Sequence, residues 1–193
     1  MLHFKSYNAL QMTKEEDPKL KDYRVGLVVH TRDGTIKRFT NLNEAVTEEL
    51  TKQNTPALFP HALFAKEIKQ TQELQAQYPD MTSRSGEPFF DDDTFYAEIY
   101  EENDERVRFV RETFSYHQER NMLYALIDKL FERNKERFAD NGDVFDVFAR
   151  AAMTGNILPM GKLIDETFGR GTLRKIGNFD GDKDRQKEFI DSL

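Results

Sequence analysis

Residues 23–40 read YRVGLVVHTRDGTIKRFT. Two β-rich runs flank Asp33 and Gly34, and an Asp-Gly pair tolerates the left-handed backbone that a tight hairpin turn requires. The spacing predicts a β-hairpin over 23–40. Directly downstream, Asn41 or Asn43 can cap a helix running to Gln53, with Leu42, Ala45, Val46 and Leu50 on one face. The chain therefore opens on a ββα unit. A two-stranded hairpin is marginal alone, so the opening LHFKSY, residues 2–7, is the natural source of a third strand.

Two prolines break the chain over Asn54–Pro60, and Leu63, Phe64, Ile68 and Leu74 then predict a helix over His61–Tyr78, stopped by Pro79. DMTSRSGEP, residues 80–88, is a polar loop. Beyond it, Thr94–Tyr100 fits either a strand, with Phe95, Ala97 and Ile99 on one face, or the first turns of a helix, and the helical text that follows favours helix. From Asp104 to Phe138 the positions Val107, Val110, Phe114, Leu123, Ile127, Leu130, Phe131 and Phe138 recur at three- and four-residue steps. One long helix, or two joined near His117, is expected there. Asp140-Asn141-Gly142 ends it, Asp143 can cap a helix to Thr154, Gly155 closes that one, and a short helix spans Pro159–Phe168. Gly169–Phe179 reads as irregular and Lys183–Leu193 as a terminal helix.

The expected fold class is α+β and predominantly helical: an N-terminal hairpin plus helix followed by a bundle-like C-terminal part. The expected organisation is a small α+β lobe over 1–80, an acidic-aromatic linker or interaction segment over 81–105, and a helical lobe over 106–193.

That middle segment holds the charge. Between Glu87 and Glu105 lie nine acidic residues (Glu87, Asp91, Asp92, Asp93, Glu98, Glu101, Glu102, Asp104, Glu105) and no Lys or Arg, interleaved with Phe89, Phe90, Phe95, Tyr96 and Tyr100. Lys plus Arg against Asp plus Glu stands at 12 to 11 before it and 16 to 15 after it, so the formal −7 divides into +1, −9 and +1. Such a run can imitate nucleic-acid phosphates, dock on a basic protein surface, or lie solvated with its Phe residues in the core. The residues assigned to partner binding are Asp91, Asp92, Asp93, Phe95, Tyr96, Glu98, Tyr100, Glu101 and Glu102.

Composition bounds the rest. Hydrophobic residues make up 38% and charged residues 33% of the 193, and 16 Phe with 7 Tyr argue for a folded core. The absence of Cys removes disulfides, thiolate catalysis and Cys-based metal sites. The start lacks a signal-peptide pattern, and no run approaches the roughly 18 apolar residues that span a bilayer, so a cytoplasmic protein without a membrane partner is expected. A net negative charge argues against broad nucleic-acid binding.

Local motifs fail on detail. Asp180-Gly181-Asp182-Lys183-Asp184 resembles the start of a calcium loop, but Arg185 stands where the turn needs Gly and Asp191 where a bidentate Glu belongs. A polar turn capping the last helix is the simpler reading. Gly155–Lys162 has one residue too many for a phosphate loop, with Leu163 in the hydroxyl position. Arg170, Arg174 and Lys175, beside Gly169 and Gly171, could wrap an anion, or could sit on the surface as a partner for the acidic segment. His3, His30, His61 and His117 lie in separate elements without ligand spacing, and no nucleophile elbow occurs. No metal site and no cofactor is assigned.

The reading that uses the unusual feature is a non-enzymatic intracellular interaction protein, with the look of a viral or mobile-element inhibitor or regulator, docking its acidic-aromatic surface on a basic site of a host protein, nucleic-acid-binding sites included. A structural or accessory subunit of a larger assembly is the alternative, and an enzyme whose polar groups converge only in the fold ranks third.

Overall fold

The computed structural model describes residues 7–12, 19–31, 33–83, 86–102, 106–179 and 182–193. The fold is α+β and helix-rich: the described residues form seven α-helices, a four-stranded antiparallel sheet and a two-stranded one. Two compact units result, one from Met1–Leu50 with Tyr116–Leu193, the other from Thr51–Ser115. The units change at 50/51 and 115/116, whereas the sequence reading places its divisions at 80/81 and 105/106.

The discontinuous unit begins with β1 (Asn8–Met12), β2 (Leu20–Val25), β3 (Val28–His30) and β4 (Lys37–Arg38), joined in that order as an antiparallel meander. The run YRVGLVVHT is not one strand. Val25 pairs with Val28 across a two-residue turn, and Gly26 takes φ +56°, which a β-branched residue would resist. The expected Asp-Gly turn does join β3 to β4, with His30 opposite Lys37, and the Asp33 carboxylate accepts from the Thr31 hydroxyl and from both the amide and hydroxyl of Thr35. Those bonds hold its pKa down to about 2. Of the proposed LHFKSY strand, residues 2–6 lie outside the described residues; Tyr7 precedes β1 and its amide donates to the Ala152 carbonyl.

Helix α1 (Thr40–Asn54) follows, as the spacing of Leu42, Ala45 and Val46 requires, and all three are buried. Asn41 and Asn43, expected as caps, lie inside it: Asn43 Oδ1 accepts the Leu27 amide at 2.9 Å and Asn41 Nδ2 donates to Gln186 Oε1 at 2.8 Å. The same unit holds α3 (His117–Glu132), α4 (Asn141–Thr154), α5 (Leu158–Phe168), α6 (Thr172–Asn178) and α7 (Lys183–Asp191). Leu126, Leu130, Val144, Phe148 and Ile164 form the centre of its core at 0% exposure.

Three expectations about these helices change. The helix expected to reach Phe138 ends at Glu132. Asp140, not Asp143, is the N-cap of α4: its carboxylate accepts from the Asp143 amide, and Asp143 Oδ2 accepts from the amide of Ala139, the residue before the cap. The stretch Gly169–Phe179, expected to be irregular, contains α6, because Asp165 reaches across from α5 and accepts the Gly171 and Leu173 amides at 3.0 Å each. Asp182 caps α7 through the Arg185 amide, in line with the capping alternative to a calcium loop; Asp180 and Gly181 lie outside the described residues.

The second unit contains a 3-10 turn (Thr55–Leu58), α2 (Ala65–Gln77), β5 (Thr94–Glu102) and β6 (Arg106–Thr113). The first part of the helical stretch expected from Asp104 onward is thus, over Arg106–Thr113, a strand, while its second part is α3, and the helix favoured at Thr94–Tyr100 is the partner strand. Ile99 faces Phe109 and Ala97 faces Arg111 in the antiparallel register. The segment RVRFVRET satisfies a two-residue alternation as well as a helical spacing of Val107, Val110 and Phe114, and pairing with β5 decides between them. Leu74, Phe89 and Ala97 are buried, with Met81, Phe90, Ile99 and Phe109 packed on them. Thr71 of α2 accepts the Ala97 amide at 2.9 Å, covering part of the outer edge of β5.

Candidate functional site

Alternation along β5 puts Ala97 and Ile99 on the face that joins the small core and Tyr96, Glu98 and Tyr100 on the other. Across the hairpin, Tyr96 stands opposite Glu112, Glu98 opposite Val110, and Tyr100 opposite Arg108. The open face of the hairpin therefore carries aromatic and charged side chains together, with Tyr100 51% exposed.

Glu98 is the hub. Its carboxylate accepts the Tyr96 hydroxyl at 2.6 Å, and hydrogen bonds from Tyr100 and Tyr96, in that order of effect, lower its pKa. The same bonds work in reverse on the phenols: Tyr96 is pushed up to about 12 and Tyr100 is raised, each chiefly by its bond to Glu98. Glu67, in the first turn of α2, also raises Tyr96 through its charge.

The three consecutive aspartates are not equivalent. Asp91 Oδ1 accepts from the Asp93 amide at 3.0 Å and the Thr94 hydroxyl at 2.9 Å, while Oδ2 lies 3.2 Å from Arg111 Nη1. That guanidinium also donates to the Phe89 carbonyl at 2.5 Å and sits 5.5 Å from the Phe89 ring centre. Asp93 Oδ1 takes the Lys52 ammonium at 2.7 Å. Asp92 is exposed. Two of the three are thus tied to cations that hold the loop, and sequence counting, which ended at Glu105, left Arg108 and Arg111 out of the balance although pairing returns them to it.

Of the other residues assigned to partner binding, Phe95 is 38% exposed and rests against Phe114 with ring centres 5.0 Å apart. Glu101 and Glu102 are the last two positions of β5. Asp104 and Glu105 lie outside the described residues. The structure brings Tyr96, Glu98 and Tyr100 together and adds Glu112, which sequence reasoning missed because it read β6 as helix. The one signal available was the alternation of Arg106 and Arg108 with Val107 and Phe109.

The basic loop looks different from its sequence. The amides of Gly171 and Leu173 already bind the Asp165 carboxylate, so an anion at that turn would displace an internal one. Lys175 Nζ lies 5.8 Å from the Phe189 ring centre, and Arg170 and Arg174 are exposed. A second polar cluster that sequence did not single out is buried in the discontinuous unit. Arg120, 2% exposed, lies 3.9 Å from Glu49 Oε2 and 3.3 Å from His117 Nδ1; Tyr124 donates to the same Glu49 oxygen, and buried Glu119 pairs with Lys183.

Among the described residues no group of three or more His, Asp or Glu side chains is placed to hold a metal ion, and no helix is long and apolar enough to cross a membrane. Compared with family models, curated proteins and solved structures, the chain matches none.

Proposed function

We propose that the chain is a non-enzymatic interaction protein that docks the acidic-aromatic face of its β5–β6 hairpin onto a basic site of a partner protein and regulates that partner. One observation carries the reading: Thr51–Ser115 holds seven Lys and Arg against thirteen Asp and Glu, six of the chain's seven net negative charges, and its hairpin turns Tyr96, Glu98 and Tyr100 away from its own core. Aromatic anchors beside carboxylates fit a surface that gains affinity from ring burial and orientation from charge. A cytoplasmic setting and a viral or mobile-element regulator's role belong to the same proposal, resting on composition. Direct, broad nucleic-acid binding does not fit the charge sign.

The accessory-subunit reading has its own support. Phe59, Leu63 and Phe64, ahead of α2, are 40%, 75% and 43% exposed, an apolar cluster of the kind that assemblies cover.

Affinity capture at low and high salt separates the two. With Glu87, Asp92, Glu98 and Glu112 changed to their amides, the docking reading expects loss of a salt-sensitive partner that the wild type retains, and a Leu63→Ser/Phe64→Ser variant should retain it. The reverse pattern supports the accessory reading.

A further inference from the structure

We propose that Tyr96 is the centre of a receptor for the side-chain cation of a lysine or arginine in an extended segment of the partner, with Glu98, Glu112 and Glu67 supplying the surrounding charge. This inference rests on the docking reading above and assigns it a centre.

Three elements contribute. Glu98 lies two residues along β5 from Tyr96 on the same face, Glu112 directly opposite on β6, and Glu67 comes from the first turn of α2 near enough for its charge to act on the Tyr96 phenol. An aromatic ring whose face is electron-rich, flanked by carboxylates, attracts an ammonium or a guanidinium, and a bare metal ion has no use for the ring. The carboxylates themselves are not gathered into a metal-binding group. Glu98 retains acceptor capacity: a carboxylate offers roughly four lone-pair sites, and the Tyr96 and Tyr100 hydroxyls engage its oxygens as donors, leaving room for a guanidinium edge.

At the opposite end of the stripe a cation joins the carboxylates. Tyr100 stands across from exposed Arg108, whose charge opposes the rise that Glu98 and, less, Glu112 produce in the Tyr100 pKa. With Glu112 across from Tyr96 and Arg108 across from Tyr100, an incoming cation meets a competing charge only at the Tyr100 end, which gives the surface a polarity. Residues two apart on a strand are separated by about 6.7 Å, so a partner in extended conformation can present alternate side chains at the same spacing. A segment with a cation over Tyr96 and a neutral or acidic side chain toward Arg108 meets both ends.

The probe is a fluorescently labelled peptide of alternating arginine and threonine, with a glutamine-threonine peptide as control, titrated into the full chain. Binding should favour the arginine peptide, and NMR should show its arginine δ-methylene protons shifted upfield by a ring current. Tyr96→Leu should weaken binding about fivefold and abolish that shift, whereas Tyr96→Phe, which keeps the ring, should stay within about twofold. Glu112→Gln, a surface change, should weaken binding about threefold and keeps the test valid if Tyr96→Leu disturbs the hairpin. Wild-type affinity in both Tyr96→Leu and Glu112→Gln, alongside weakening in Asp92→Asn, would overturn the Tyr96 assignment and leave docking of a basic partner standing. Equal wild-type binding of the arginine and glutamine peptides would remove both.

Discussion

Lys52 Nζ lies 2.7 Å from Asp93 Oδ1, with the two side chains 27% and 18% exposed. This pair ties the last turn of α1 to the start of the acidic strand, where the Phe114 amide also donates to the Asp93 carbonyl. Asp93 thus holds its own unit together. A charge-assisted bond at a half-buried site contributes about 1.5 kcal/mol, so Asp93→Asn should lower the urea midpoint measurably. Asp92→Asn, on the exposed neighbour, should stay within about 0.5 kcal/mol of wild type. Equal midpoints for the two variants would contradict the assignment.

The Tyr96–Glu98 bond should be visible in a pH titration. The folded pKa of Tyr96 is raised to about 12 from an ordinary value of 10, so the protonated phenol is favoured by folding. Its contribution to stability is complete below the unfolded value and is lost as pH rises through about 12. Glu98 runs the other way: its folded pKa is lowered, so its contribution is present above the unfolded carboxylate value and is lost as pH falls through the folded one. Tyrosinate absorbance in the Glu98→Gln variant should show two phenols, Tyr96 and Tyr100, returning toward the ordinary range. An unchanged titration curve would show that the bond is not made in solution.

Arg120 gives the largest expected loss of stability. It is 2% exposed beside Glu49, and removing one member of a buried ion pair takes the charge partner from the other. Arg120→Met should destabilise by about 3–5 kcal/mol, and adding Glu49→Gln should recover part of that. Chemical denaturation of the single and double variants measures the coupling. Strict additivity would show that the two side chains do not interact.

Gly155 closes α4 at φ +76°, and a Cβ there would lie 2.5 Å from the Tyr7 ring. Gly34 has a similar φ of +74° but open space around it. Both alanine variants incur backbone strain of about 1 kcal/mol, and Gly155→Ala should lose distinctly more stability because Tyr7 must move. Equal thermal midpoints would mean that Tyr7 does not pack on Gly155.

What the sequence made legible was local. The Asp33-Gly34 turn, the face of α1 and the Gly155 stop all depend on neighbours within a few residues, and each stands in the fold. The helix expected over His61–Tyr78 shows the limit: it starts at Ala65, leaving Leu63 and Phe64 exposed ahead of it, and of the expected face only Leu74 is buried. Where two periods fit the same letters, the reading went the wrong way: Val107, Val110 and Phe114 suit a helix, but β5 supplies a partner in register and the chain takes the extended form. Gly26 inside YRVGLVVHT permitted a turn that the apolar run concealed. The candidate surface was half visible. Tyr96, Glu98 and Tyr100 could be named as members of the acidic-aromatic run, while Glu112 and Glu67 reach Tyr96 only through strand pairing and helix packing. Arg120 and Glu49 lie 71 positions apart in the chain, beyond the reach of any local pattern.

The most direct test of the docking surface is residue-resolved NMR of the full chain titrated with the arginine-threonine peptide at low and high salt. The account predicts amide and ring perturbations concentrated at Tyr96–Tyr100 and Arg108–Glu112, fading as salt rises. Perturbations centred elsewhere, for example on Phe59–Phe64 or around Asp165, with the hairpin silent, would contradict it.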